Sequence, residues 1–132
     1  MYLKHKNLTN QIIKTLYDVY NELGHGFLEN VYQNTLYLEL KNRGIYVEAQ
    51  KQIKVYYKNT QVGVYYADLI IDEVIILELK AAEVIVKEFE FQLLNYLKPT
   101  EIEVSLLLNF GVKPEFKRKI FTIKKKLESS LE

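Results

Sequence analysis

YADLIIDEVIILELK, residues 66–80, consists of two greasy segments joined through Asp72-Glu73. Three ionisable groups, Asp68, Glu78 and Lys80, stand in it among side chains that are otherwise apolar. The run from Val74 to Leu79 is almost wholly aliphatic and β-branched, the composition of a strand buried on both faces. Charge in such a strand is costly unless something answers it, so these three groups are the first candidates for chemistry. Strand side chains alternate, so Glu78 and Lys80 leave one face about 7 Å apart while Leu79 turns to the other.

The two segments form a hairpin, and its register decides what Asp68 can do. Pairing Asp68 with Glu78 makes paired numbers sum to 146, so that Ile70 faces Ile76, Ile71 faces Ile75, and Asp72-Glu73-Val74 connects the strands. Directly opposite residues share a face. A two-residue turn at Asp72-Glu73 would instead send Asp68 to the face opposite Glu78, unless a bulge intervened. Two-residue hairpins favour primed turns with glycine or asparagine at the centre, and neither is present, so the three-residue connection or an equivalent bulge is predicted. The Asp68 and Glu78 carboxylates should then lie within about 5 Å, close enough to share one divalent ion.

An acid on one strand followed by Glu-x-Lys on the next resembles the active-site motif of the PD-(D/E)xK nuclease superfamily. Here it reads Asp68, nine residues, then Glu78-Leu79-Lys80, with Ala67 in place of the usual proline. Two carboxylates can hold Mg²⁺ or Mn²⁺ through hard oxygen ligands and leave positions for water and a phosphate oxygen. A lysine beside them can orient the attacking water or offset charge as the phosphate is attacked. The plain structural alternative is an ion pair at the end of a strand.

Around this hairpin, Leu8 to Leu23 reads as an amphipathic helix with Leu8, Ile12, Ile13, Leu16, Val19, Tyr20 and Leu23 on its apolar face and Thr9 or Asn10 as cap. Gly24-His25-Gly26 ends it. His25 could approach a phosphate or metal, or cap the helix through its ring; the cap is the plainer reading. A second helix, about Phe27 to Asn42, presents Leu28, Val31, Leu36, Leu38 and Leu40. Tyr46–Tyr57 and Val62–Ile71 are strands joined at Asn59-Thr60-Gln61, with Gly63 marking a bulge or close approach. Glu83–Lys98 is a helix stopped by Pro99, with Val84, Phe89, Leu93, Leu94 and Leu97 inward. Ile102–Phe110 is a buried strand, parallel to the one before it because a helix connects them. After a turn at Gly111–Pro114, Lys119–Ile123 gives a short polar edge strand, and the tail after Lys124 is helical or frayed.

Gly26-Phe27-Leu28-Glu29-Asn30-Val31-Tyr32 spells G-x-x-E-x-x-Y. With the hairpin acids, Gln92-Leu-Leu-Asn-Tyr96 and Leu106-Leu-Leu-Asn-Phe-Gly111, it makes nearly the whole chain similar to the small bacterial GxxExxY family, usually placed among PD-(D/E)xK nuclease-like proteins. Glu29 and Tyr32 share a helix face, and a glutamate at a helix start also suits the macrodipole. The resemblance implies more: that Glu29 completes the metal shell of Asp68 and Glu78. It likewise implies that Gln92 and Tyr96, a Q-x-x-x-Y as in RecB-type nucleases, face the active site and contact substrate.

Composition sets the bounds. With 132 residues, 48% hydrophobic and 27% charged, the chain fits one globular domain, residues 1–132. The absence of cysteine excludes disulfides, thiolate metal sites and cysteine nucleophiles. The N-terminus has no apolar signal core and no run approaches the roughly 20 apolar residues that span a bilayer, so the expected location is cytoplasmic, away from membranes. A net charge of +1 does not announce a nucleic-acid binder, although seven Lys and Arg against three Glu gather from Lys113 onward. Eleven tyrosines and no tryptophan are best placed at the core boundary with wet hydroxyls.

The element order α-α-β-β-β-α-β-β is that of an α/β restriction-endonuclease-like fold, a mixed sheet flanked by helices. The function expected is metal-dependent hydrolysis of DNA or RNA, with Asp68, Glu78 and Lys80 catalytic, Glu29, Asp68 and Glu78 on Mg or Mn, and Gln92 and Tyr96 on substrate. The alternative is a non-catalytic nucleic-acid-binding or regulatory module that keeps the fold. A sugar- or nucleotide-processing enzyme lacks a phosphate-binding glycine loop in its support. A protein this small needs a partner to surround a duplex, which suggests a homodimer.

Overall fold

In a computed structural model, which describes residues 4–130, the order of elements is α1 (Lys6–Leu23), α2 (Glu29–Asn42), β1 (Val47–Tyr57), β2 (Thr60–Ile71), β3 (Ile75–Lys80), α3 (Lys87–Leu97), β4 (Val104–Phe110), β5 (Pro114–Ile120) and α4 (Ile123–Ser130). The strands form one five-stranded sheet in the order β1-β2-β3-β4-β5. Neighbours are antiparallel except β3 and β4, which run parallel across the α3 connection. This is the mixed α/β sheet flanked by helices that the sequence indicates.

The two faces of the sheet are unequal. On one, α1 and α2 cover the larger core, where Ile12, Leu16, Tyr32, Leu36 and Leu40 meet Leu69, Ile75, Leu77, Leu106 and Leu108. On the other, α3 closes a smaller cluster of Ile53, Ala67, Ile70, Ile76 and Leu97. The central strands β3 and β4 are therefore buried on both faces, as their unbroken aliphatic composition requires.

Several boundaries differ from the sequence expectation. α1 begins at Lys6 with no side-chain cap, so Thr9 lies inside the helix with its hydroxyl buried and unpartnered rather than capping it. In α2 the inward stripe is Tyr32, Leu36 and Leu40, while Leu28 and Leu38 are 78% and 61% exposed, because a four-residue repeat that starts on the tyrosine follows one helix face. α3 begins only at Lys87, leaving Val84 exposed in the preceding link. β5 runs from Pro114 to Ile120, not from Lys119 to Ile123; an edge strand tolerates proline at its first residue, since no ladder donor is needed there. The β1–β2 turn is Lys58-Asn59, both at positive φ, and the register slips opposite Gly63 between Val55 and Tyr56. The glycine thus does mark a bulge.

The decisive hairpin pairs Leu69 with Leu77, Ile70 with Ile76 and Ile71 with Ile75, each pair summing to 146. Asp72 and Glu73 both have positive φ, and the Val74 N–H donates to the Ile71 carbonyl at 2.9 Å. Two successive positive φ values are what a type I′ turn requires, here without glycine or asparagine, and Val74 is the extra residue that preserves the register.

Candidate active site

The site forms where β2 parts from β3. Their backbone pairing ends at Leu69 and Leu77, and beyond it the Leu79 N–H donates to the Asp68 carboxylate at 2.9 Å. A side chain thus continues the ladder after the backbone has diverged. Asp68 is held from behind as well, since the Gln33 side-chain amide of α2 donates to its carbonyl at 3.4 Å.

Glu78 is 8% exposed, and its Oε1 is buried without a hydrogen-bond partner. Burial, then the charge of Asp68 and side-chain hydrogen bonding with it, push the Glu78 carboxyl up to about 9, against smaller opposing effects of the Asp68 backbone and then of the Lys80 charge. The two carboxyl groups are therefore close enough to repel, and the pair keeps one proton unless a cation replaces it. Lys80 projects at the end of β3 with its Nζ 4.8 Å from the centre of the Phe89 ring of α3, a cation–π contact that holds the ammonium over that helix.

Tyr96 and Gln92 lie on α3. Phe89, Gln92 and Tyr96 follow one strip of the helix by their three- and four-residue spacing. The strip's first member touches Lys80. Its last is raised by burial and by the charges of Glu78 and Asp68. Gln92 is exposed between them. The Tyr96 ring stacks on Tyr65 of β2 at 3.9 Å and 15°, and the Tyr65 hydroxyl donates to the Tyr96 carbonyl. One face of Tyr96 is thereby occupied by protein. No motif in the sequence singles out Tyr65; its hydroxyl is held in the protonated form by burial and then by the charge of Glu78.

Glu29 is the exposed first residue of α2, one turn before Gln33 on the same strip. Among the described residues no three carboxylate or imidazole groups gather as a metal-binding cluster, so Glu29 stands apart from the Asp68–Glu78 pair. Tyr32, its companion in the G-x-x-E-x-x-Y run, is wholly buried: it stacks on Phe110 at 4.2 Å and donates to the Gly24 carbonyl at 2.7 Å. Its work is to fix the loop that starts α2. His25 is exposed and lines a cleft with Phe27, Leu28, Ala82, Glu83 and Val112.

A second support lies in the Leu106-Leu-Leu-Asn-Phe-Gly111 run, whose resemblance gave it no role. Asn109, wholly buried in β4, accepts from the Ala82 N–H and donates to the Ala82 carbonyl, both at 2.9 Å. It reproduces with a side chain the two-bond exchange of a ladder pair, and so fixes the chain as it leaves Lys80. Gly111 lets that chain approach, because a Cβ there would stand 2.5 Å from the Ala82 carbonyl oxygen. A lone amide in an aliphatic strand was the available signal, since a buried amide needs partners.

A family model for the PD-(D/E)XK nuclease superfamily matches residues 6–119, an interval that contains every residue of this site. The chain belongs to that superfamily. Among solved structures, the crystal structure of SSO0001 superposes with a TM-score of 0.55 and 17% identity over 77% of this chain. At that identity the likeness speaks for the fold alone, and the chain spans 56% of the other's length. No curated protein matches the sequence. The superfamily assignment agrees with the fold: Asp68 and Glu78 stand at the strand fork, with Lys80 just beyond. No helix among the described residues is long and apolar enough to cross a membrane.

Proposed function

We propose that the protein is a metal-dependent nuclease, that residues 1–132 act as one domain, and that Asp68, Glu78 and Lys80 are its catalytic residues. The observation that carries the reading is the buried Glu78 carboxyl beside Asp68 with one oxygen unpartnered. Two carboxylates forced together in a dry site have no structural benefit that an apolar pair would not supply better. They fit a hard divalent cation, Mg²⁺ or Mn²⁺, held by Asp68 and Glu78 with Glu29 as outer support. Such an ion, when bound, supplies Lewis-acid activation of a phosphodiester and of water. Asp68 is oriented by the Leu79 N–H, and Lys80 places a positive charge where charge grows on the phosphate oxygens. Gln92, exposed on the strip between Phe89 and Tyr96, contacts the nucleic acid, while Tyr96 borders it with the ring face that Tyr65 leaves uncovered. The G-x-x-E-x-x-Y run supports a place in the GxxExxY group of the superfamily. The reading is of a cytoplasmic protein acting on DNA or RNA, with a second copy completing the grip on a duplex.

Cleavage of mixed DNA and RNA substrates with Mg²⁺ or Mn²⁺ tests the reading, with Lys80→Ala as control. The wild type should cut and the variant should lose at least about 100-fold, the lower range for a positioned catalytic group. Equal activity in both would assign the cleavage to something else. Binding of nucleic acid without turnover would favour the alternative module. A melt tests the metal site: saturating Mn²⁺ at 100 times its dissociation constant stabilises the fold by about 2.7 kcal/mol, and Glu78→Ala should remove that shift.

A further inference from the structure

β2 pairs with β3 only from Leu69 to Ile71, yet pairs with β1 along its whole length from Ile71 back to Thr60. Everything from Ala67 to the Lys58-Asn59 turn is therefore a two-stranded ribbon that overhangs the sheet. At about 3.3 Å per residue it reaches roughly 25 Å beyond Asp68. Because β3 runs antiparallel to β2, the overhang leaves from the end of the sheet that carries Glu78 and Lys80. The base of the ribbon is thus the rim of the candidate site, and it is fastened there by the Tyr65–Tyr96 stack.

Composition and exposure of this ribbon differ from those of the rest of the chain. Between Glu48 and Asp68 there is no acidic residue, while Lys51, Lys54 and Lys58 fall within it. Glu48 answers Lys51 at 3.1 Å. Lys54 and Lys58 are exposed. The register puts Gln52 opposite Tyr66 and Lys54 opposite Val64, so these four side chains share one face of the ribbon. Tyr66 and Val64 are 52% and 43% exposed, and Tyr56 beside them is 58% exposed. The other face, with Ile53 and Tyr65, packs into the smaller core on the α3 side, so a duplex held by the free face must cross the end of the sheet to bring a phosphodiester to the acids. The free face of tyrosines, an aliphatic side chain and lysines carries no negative charge, is joined across the strands by the Gln52 amide donating to the Tyr66 hydroxyl at 3.3 Å, and is otherwise left to solvent.

We propose that this ribbon is an arm that grips duplex DNA beside the point of cleavage, Lys54 and Lys58 meeting phosphates and Tyr56 and Tyr66 packing against the sugar and base edges. The choice of nucleic acid as occupant rests on the nuclease reading of the site at its base. The shape suits the task, since the major groove of B-form DNA admits a two-stranded β-ribbon. A second copy of the chain is the weaker occupant on two grounds. Two such ribbons would bring lysines together with no carboxylate to answer them, and Gln50 at positive φ with lysines along β1 discourages strand addition at that edge.

The test is binding of a labelled duplex by the full chain in EDTA, so that nothing is cut, at several salt concentrations. Lys54→Gln with Lys58→Gln should lower the log-log salt slope by about 0.9 for each phosphate that is no longer neutralised. Tyr56→Ser with Tyr66→Ser should weaken binding several-fold with the slope kept. Lys124→Gln with Lys125→Gln on α4 removes the same charge elsewhere. An equal drop in slope from that pair, an unchanged slope in the ribbon pair, or no binding by the wild type overturns the arm. So does a concentration-dependent dimer that the ribbon substitutions dissolve, which would make the face an interface between copies. Failure of the nuclease reading shows separately, as absent cleavage with metal by a protein that still binds through the ribbon.

Discussion

Glu78 folds with its proton on. Burial and the neighbouring Asp68 raise its carboxyl to about 9 from an ordinary value of 4.5. Between those limits the folded chain holds a proton that the unfolded chain has released, so unfolding gives off a proton and is favoured as pH rises. The contribution of Glu78 to stability is therefore fully present below about 4.5 and is lost progressively up to about 9. With a chelator present, unfolding free energy should fall by up to about 1.4 kcal/mol per pH unit across this window. Glu78→Gln keeps the shape without the charge and should flatten that dependence, leaving the variant more stable than wild type at pH 8. Urea titrations at a series of pH values measure it, and parallel curves for the two proteins would mean that Glu78 is not the group responsible. Divalent metal should flatten the wild-type curve as well, since a cation in place of the proton removes the repulsion that raises the carboxyl.

Strand β4 illustrates what patterning shows and what it hides. Its aliphatic composition marks it as buried on both faces, the helix between it and β3 marks the two strands as parallel, and both are observed. The use of Asn109 was not legible, because its partner Ala82 lies 27 residues away and only the tertiary fold brings them together. The hairpin register was legible for the opposite reason: the acids and the turn are local, and only one pairing puts Asp68 beside Glu78. The stripe of α2 is hard to read because Leu28 and Leu38 are as apolar as the residues that truly face the core, and the large tyrosine takes the inward place. The bounds of β5 escape patterning because an edge strand needs neither an apolar run nor a ladder donor at its first residue. The Asn109 clamp carries its own expectation. Asn109→Ala leaves the half-buried Ala82 N–H and carbonyl without this partner and should cost about 1–3 kcal/mol. Gly111→Ala forces a side chain against backbone at the same place, with a similar cost of about 1–3 kcal/mol. Shifts in the urea midpoint measure both, and the double variant should lose less than the sum, because each disrupts the same junction. Additive losses would show that the two residues act on different parts of the chain.

Across the whole sheet, the pairings place the basic C-terminal strand relative to the acids. Extending the β2–β3 register by one step puts Asp68 beside Glu78; Glu78 pairs with Leu107, and Leu107 with Lys117. One row therefore crosses four strands on the α3 side and ends in an exposed lysine, two strand spacings or about 10 Å from Glu78. Lys119, two residues on and on the same side, is already engaged by Glu90 of α3 at 2.8 Å. Arg118 points the other way, donating to the Lys4 carbonyl at 2.7 Å beside α1. The three consecutive basic residues are thus not one patch, and their charges should not act alike. A phosphodiester bound over the Asp68–Glu78 pair lies on the side of Lys117 and is screened from Arg118 by the sheet itself. Lys117→Gln should weaken duplex binding and lower the log-log salt slope by about 0.9, as expected when one phosphate fewer is neutralised. Arg118→Gln removes the same charge and should leave the slope unchanged, while lowering the melting temperature because the bond to Lys4 is gone. Equal slopes for the two variants would show that nucleic acid does not approach from the α3 side, and would move the substrate path away from the row that Glu78 anchors.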